Sequence, residues 1–481
     1  MKHASAPPPS PESVLTPASL SRFGLPALLL LTILAYLNSF AGIWQFDDHA
    51  VLLADPRVQS LSAWWQSLPH LRPVFKLSVA INHELGWNLP GFHLVNLLLH
   101  LANTALLHQL LLRLLTGQGQ ARFTLWPVWF ITAVFALHPA QTEVVTYLSG
   151  RSVALEAFGL LLSCYALLCY QQSASSSLRW PWLLLMAFAV MLALASRESA
   201  VIAPLLLGWL ALYGRDRQAE PKSSRRLMIV AVLAALLLLI AVLLLPRYRD
   251  LLWLALQWRD LETLVATQSQ AIAHLLAVAV GLAPLNADPA LLVAPLISLR
   301  GAMALALLIA LAVAIWRRRV RQPLAVLTFG CLLIIWLPTH SIFVRLDPVN
   351  DRQLYLALPA ILALALLLLA PLGMGSARAL PRASMRRQQI LQAGVLLCIA
   401  SLATATVLRN RVYFNESAYW QDVVDKAPHN ARAWNNLGLA LAAAGQRADA
   451  EAAFLMALQR RPDYQKAAVN LRLLRADRLS P

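Results

Sequence analysis

Two adjacent carboxylates, Asp47 and Asp48, follow directly on an apolar run from Leu25 to Ile43. Such a run has about the 20 residues that a helix needs to cross a bilayer, so the acidic pair stands at a membrane lip. Carboxylates placed there can abstract a proton or bind a cation; they can equally mark the boundary with water. Further ionic residues recur along the chain: His138-Pro139 and Glu143, Gly150-Arg151, Arg197-Glu198, and Asp351-Arg352. The planar fork of arginine suits a cluster of phosphate oxygens. A carboxylate beside it can stay ionised and act as a base. Ion pairs that merely seal loops would give the same pattern, and such pairs contribute little.

His93, Asn96, His100 and Asn103 form a second set. At about 100° per residue they fall within an arc of about 80° on one helix. A polar stripe on an apolar helix faces the bundle interior or a hydrated cavity, and interhelical hydrogen bonding is its simplest use. His93 and His100 are two turns apart, unlike the i, i+4 spacing of a helical zinc pair.

The elements that position these residues follow from composition. Hydrophobic residues make up 59% of the 481 and charged residues 13%, which excludes both an ordinary soluble domain and a disordered chain. Apolar runs of near-spanning length recur from 25–43 to 389–408 and give about eleven crossings. The net charge of +17 reads as topology rather than nucleic-acid binding. Numbered as alternating crossings from an inside N-terminus, the inside loops hold 18 Lys/Arg against three acids, whereas the outside loops balance acids and bases. The four cysteines lie inside apolar runs without metal-site spacing. Residues 1–24 read as a disordered cytoplasmic tail, 25–408 as a membrane domain, and 45–92 as its long first outer loop with an interfacial stretch at 74–81. Residues 266–296 read as re-entrant or interfacial.

After Leu408 the composition changes. Trp434-Asn-Asn-Leu437-Gly438, Ala450, Phe454, Ala457 and Pro462 fit the tetratricopeptide pattern, and Pro428 lies one 34-residue period before Pro462. The fold class is therefore all-α: a polytopic membrane helix bundle with a small tetratricopeptide tail, 410–481, on the same face as Asp47.

The ordered combination of Phe46-Asp47-Asp48, Arg72-Pro73-Val74, Phe92-His93-Leu94-Val95-Asn96, Leu99-His100, His138-Pro139, Glu143, Gly150-Arg151, Arg197-Glu198 and Asp351-Arg352-Gln353-Leu354-Tyr355 resembles the C-type membrane glycosyltransferases. More narrowly, the chain is similar to the transmembrane-and-tetratricopeptide O-mannosyltransferase group and its bacterial relatives. It departs from them at Asp351, where relatives often carry Glu, and in its short tail. The resemblance implies an acidic catalytic base, Asp47 or Asp48, and a sugar donor on a polyprenyl monophosphate. Arg151, Arg197 and Arg352 would then bind the donor phosphate. Arg72, His93, Asn96, His100, His138, Glu143, Glu198, Asp351 and Tyr355 would line the pocket. No cofactor is implied, although the Asp pair could hold a divalent cation. The expected reaction moves mannose or another hexose, with inversion, to Ser/Thr of proteins docked by the tail at the periplasmic face of a bacterial inner membrane. An envelope glycolipid or polysaccharide acceptor is the alternative, and a non-enzymatic transporter or scaffold the further one.

Overall fold

The computed structural model describes residues 17–116, 125–173, 175–213, 221–246, 249–250, 252–253, 257, 261–341, 347–369 and 385–476. Every regular element among them is helical. Six helices are long and apolar enough to cross a membrane: Gly24–Ala41, Leu89–Leu114, Leu148–Gln172, Ser177–Ser196, Leu299–Arg318 and Gln392–Phe414. A bent pair, Leu125–Leu137 and Pro139–Val145, turns by 47° and makes a seventh candidate. Pro139 explains the bend, because the residue before a proline is pushed out of the helical region. His138 is extended (φ −72°, ψ 131°), and its side chain accepts from the Ala140 N–H to cap the restart.

The first helix begins at Pro17, so 17–24, expected to be disordered, is helical. Proline is tolerated in a first turn because the N–H it lacks would have no intrahelical partner. Residues 1–16 of the expected tail lie outside the described residues. Residues 266–296 divide into the end of a 19-residue helix, Leu261–Ala279, and irregular chain beyond it. The stretch 74–81 lies in a 12-residue helix, Pro73–Glu84, too short to span.

The helix Arg151–Gln172 is the centre of the bundle, with 83% of its spanning window buried. Gly159 lets the next helix approach it: a Cβ there would meet the Ala189 carbonyl oxygen at 2.6 Å and the Ala193 Cβ at 2.8 Å. The helices Ser177–Ser196 and Leu299–Arg318 are peripheral and expose Phe188, Met191, Met303 and Ile309. A bilayer would cover such a surface.

The polar stripe holds the bundle together. His93 Nε2 bonds the Gly42 carbonyl at 3.2 Å, and Asn96 Nδ2 donates to the carbonyls of Val145, Tyr147 and Leu148. His100 Nε2 bonds the Ala136 carbonyl at 3.0 Å. A carbonyl only accepts, so Nε2 carries the proton, and Nδ1 of the neutral ring accepts from Tyr355 Oη at 2.9 Å. Asn103 Nδ2 closes the network by donating to Tyr355 Oη and the Ala154 carbonyl. All four side chains are buried.

After the last long helix come four shorter ones: Glu416–Lys426, Ala431–Ala443, Arg447–Arg460 and Gln465–Ala476. Gly438 faces the Phe454 ring, which a Cβ would approach to 2.6 Å. Ala450 and Phe454 pack with Leu471 of the final helix. This helical tail is fastened to the membrane-helix part. Arg432 forks between Asp288 and Asp347, each at 2.6 Å, and Asn430 donates to the Asp288 carbonyl.

Candidate active site at the Asp47–Asp48 lip

The chain turns sharply before the acidic pair. Phe46 has φ 45°, a left-handed conformation that costs a bulky residue energy and persists only where the surroundings impose it. Three contacts do so. The Phe46 ring meets Trp420 edge-on, with centroids 5.3 Å apart. The Asp47 N–H donates to Tyr147 Oη at 3.2 Å. Asp48 is buried, with Oδ1 accepting from the Ser149 N–H and Oγ and Oδ2 from the Gln45 N–H. Burial pushes the Asp48 carboxyl up to about 7, against the pull of those donors.

The two carboxylates therefore differ. Asp48 gives both oxygens to the protein, with three of its about four acceptor sites taken. Asp47 is half-buried, and its carboxylate has no hydrogen-bond partner or ion pair among the described residues. The guanidinium of Arg352 interacts electrostatically with Asp47. Arg352 Nε donates to Asn350 Oδ1 at 2.7 Å, and its guanidinium carbon lies 5.5 Å from the Tyr147 ring centroid. Its two terminal nitrogens have no protein partner among the described residues. Burial works against its charge, but Tyr147, Glu143 and Asp47 outweigh that and raise its pKa.

Arg352 lines a cleft together with Arg197, Glu156 and Tyr355, and the apolar side chains of Leu160, Ile335 and Leu356. Arg197 lies 3.5 Å from Glu156 and donates to Ser152 and Ser199. Two arginines in the lining of a largely apolar cleft can hold an anionic group that carries a hydrocarbon chain.

Arg151 does not share this role. It is fully buried, and its guanidinium donates to Asn96, Asn82 and the carbonyls of Ser78 and Phe92. Four of its five N–H donors are taken by these bonds, and the residue ties the first loop to two helices. Arg72 is likewise committed, forking onto Glu198 at 2.9–3.0 Å. His93, Asn96 and His100 lie in the stripe network, and His138 caps a helix turn. Glu143 is buried and accepts from Tyr413 Oη at 2.5 Å, with Arg409 3.9 Å away. Asp351 accepts from the Asn286 N–H, and its Oδ1 is buried without a partner among the described residues. Burial, and then the nearby Glu143, push it up to about 7.

Sequence reasoning missed Tyr147, Ser149, Arg409, Tyr413 and Trp420. Arg409 carried a signal, because an arginine at the end of an apolar run needs a partner. Here the partners are Asp422 and Glu143. Tyr413, Tyr419 and Trp420 share a hydrophobic cluster with Tyr147, so the tail forms one wall of the lip.

No family model matches the chain, and no solved structure matches it. Curated relatives do. Protein O-mannosyl-transferase Tmtc2 of Drosophila melanogaster is 28% identical over 220 residues, which is 42% of this chain and 23% of the relative. Protein O-mannosyl-transferase Tmtc1 of the same organism is 30% identical over 216 residues, 42% of this chain and 24% of the relative. Protein O-mannosyl-transferase TMTC2 of Homo sapiens is 30% identical over 169 residues, 31% of this chain and 19% of the relative. The matched segment thus spans less than a quarter of the length of these relatives. Over that segment the chain is similar to the transmembrane-and-tetratricopeptide group of protein O-mannosyl-transferases.

Proposed function

We propose that the protein is a membrane glycosyltransferase that moves mannose or another hexose from a polyprenyl-phosphate donor to Ser or Thr of a protein acceptor. The observation that carries this reading is the electrostatic pairing of Asp47, whose carboxylate has no partner among the described residues, with Arg352, whose two terminal nitrogens have none there either and which lines an apolar cleft. In the reaction Asp47 takes the proton of the acceptor hydroxyl. The hydroxyl oxygen bonds the sugar C1 as the bond from C1 to the phosphate oxygen breaks, with inversion. The electron pair leaves on the polyprenyl phosphate, whose charge Arg352 and Arg197 offset. General-base assistance of this kind contributes about 10²–10⁴-fold, and a preorganised charge at the leaving group about 10²–10³-fold. Asp48 acts as the clamp that orients Asp47, and Arg151 as framework.

The same reading gives the topology. The six spanning helices, the bent pair and the four shorter apolar helices fall on the eleven apolar runs. Eleven crossings from a cytoplasmic N-terminus would bring Asp47 and the tail to the periplasmic face of a bacterial inner membrane. The tail reads as a tetratricopeptide unit, a module suited to holding polypeptide acceptors. No cofactor is needed for transfer from a monophosphate donor.

The test is transfer by the purified full chain from polyprenyl-phosphate mannose to a Ser/Thr peptide. Asp47→Asn should lower transfer by at least about 10²-fold while insertion and thermal stability stay unchanged. Full activity in that variant removes Asp47 from the reaction.

A further inference from the structure

Resting on the transferase reading, we infer that Tyr147 and Trp420 form a clamp that positions Asp47 against Arg352, making the tail part of the active site. Tyr147 touches both members of the pair. Its hydroxyl accepts the Asp47 backbone N–H at 3.2 Å, and its ring lies under the Arg352 guanidinium at 5.5 Å. Its own carbonyl accepts from Asn96, which anchors it to the stripe helix. Trp420, from the first tail helix, holds the other side of the turn through the edge-on contact with Phe46. Both rings are almost fully buried in the same cluster.

The turn needs such holding. Phe46 sits in a left-handed conformation that a residue with a large side chain rarely adopts unaided. Released, residue 46 would relax toward negative φ, and the direction of the next residue, Asp47, would swing with it. The Asp48 bonds fix the far end of the turn, so Phe46 and the Asp47 amide are the points at which it can move. A misplacement of about 1 Å at a reacting group costs about 10²-fold in rate, and the clamp guards against that loss. Tyr147 and Trp420 are positioning residues: neither is assigned contact with the reacting atoms.

Two variants of the full chain separate the clamp from general packing. Tyr147→Phe keeps the ring and its buried contacts but removes the acceptor for the Asp47 amide. Trp420→Ala removes the ring that holds Phe46, and Trp420→Phe restores an aromatic edge. Amide hydrogen exchange over residues 44–50 should quicken in Tyr147→Phe and Trp420→Ala, and return toward the wild-type rate in Trp420→Phe. In the transfer assay with polyprenyl-phosphate mannose, kcat should fall about fivefold to tenfold in Tyr147→Phe, with the donor KM unchanged. Trp420→Ala should fall further, and Trp420→Phe should recover most of the loss. Unchanged exchange in both variants overturns the clamp. Faster exchange with an unchanged kcat overturns its role in positioning. A wild-type chain that transfers no sugar defeats the transferase reading and the catalytic role with it, while exchange still judges the clamp alone.

Discussion

The polar stripe and the acidic lip look equally reactive in the sequence, and the structure treats them in opposite ways. In the stripe, His93, Asn96, His100 and Asn103 each find protein partners that bridge helices. At the lip, Asp47 and the terminal nitrogens of Arg352 have no hydrogen-bond partner among the described residues. The difference teaches how to separate framework from chemistry in an apolar bundle. A buried polar group costs energy unless it is hydrogen-bonded, so most such groups are satisfied and therefore structural. At the lip the two groups without such a partner among the described residues interact electrostatically, and Arg352 lines the apolar cleft.

That contrast can be broken at either end. The largest effect belongs to the lip, where Asp47→Asn should remove at least about 10²-fold of activity at constant stability. Arg151→Met tests the framework. It leaves the oxygens of Asn82 and Asn96 and two carbonyls without their donor, so stability should fall by about 3 kcal/mol. Thermal unfolding in detergent would show this, and a variant with normal stability but no donor binding would return Arg151 to the site. Asn103→Ala, inside the stripe, should cost only about 0.6–1 kcal/mol by the same measurement, because hydrogen bonds between membrane helices are individually weak.

The smallest effect sharpens the description of the first loop. Asp55 is buried, which alone would raise its pKa, but hydrogen bonds from Arg57 and Lys76 outweigh this and hold it at about 2. Its unfolded value is about 3.9. The folded state thus favours the ionised form, so this contribution is complete above about pH 4 and is lost as pH falls from about 4 to about 2. The gap in melting temperature between wild type and Asp55→Asn should shrink over that window. A gap independent of pH would show that Asp55 is not held by its cationic neighbours.

Much of the framework was legible from residue pattern alone. The spanning-length helices coincide with long apolar runs because burial of a helix in lipid demands them. The stripe was readable because 100° spacing fixes which side chains share a face. In the helical tail Gly438 faces the Phe454 ring, and Ala450 and Phe454 pack with Leu471. Arg151 and Arg352 show where the reading ran out. Both stand at helix breaks, and only their surroundings separate them. Ser78 and Asn82 accept from Arg151 across 73 and 69 positions of chain. No local pattern announces partners so distant. The docking of Trp420 on Phe46 was hidden for the same reason.

The fastening of the first loop has a consequence for biosynthesis. Asn38 donates to the carbonyl of Val407, and Gln45 to that of Tyr413, across 369 and 368 positions. The ribosome makes residues 38–48 long before these partners, which emerge only after the intervening helices. Contacts of such long sequence separation form late and slowly, and large chains expose unfinished surfaces in the meantime. A nascent chain therefore carries the turn at Asp47 and Asp48 half-assembled until the helix Gln392–Phe414 is inserted.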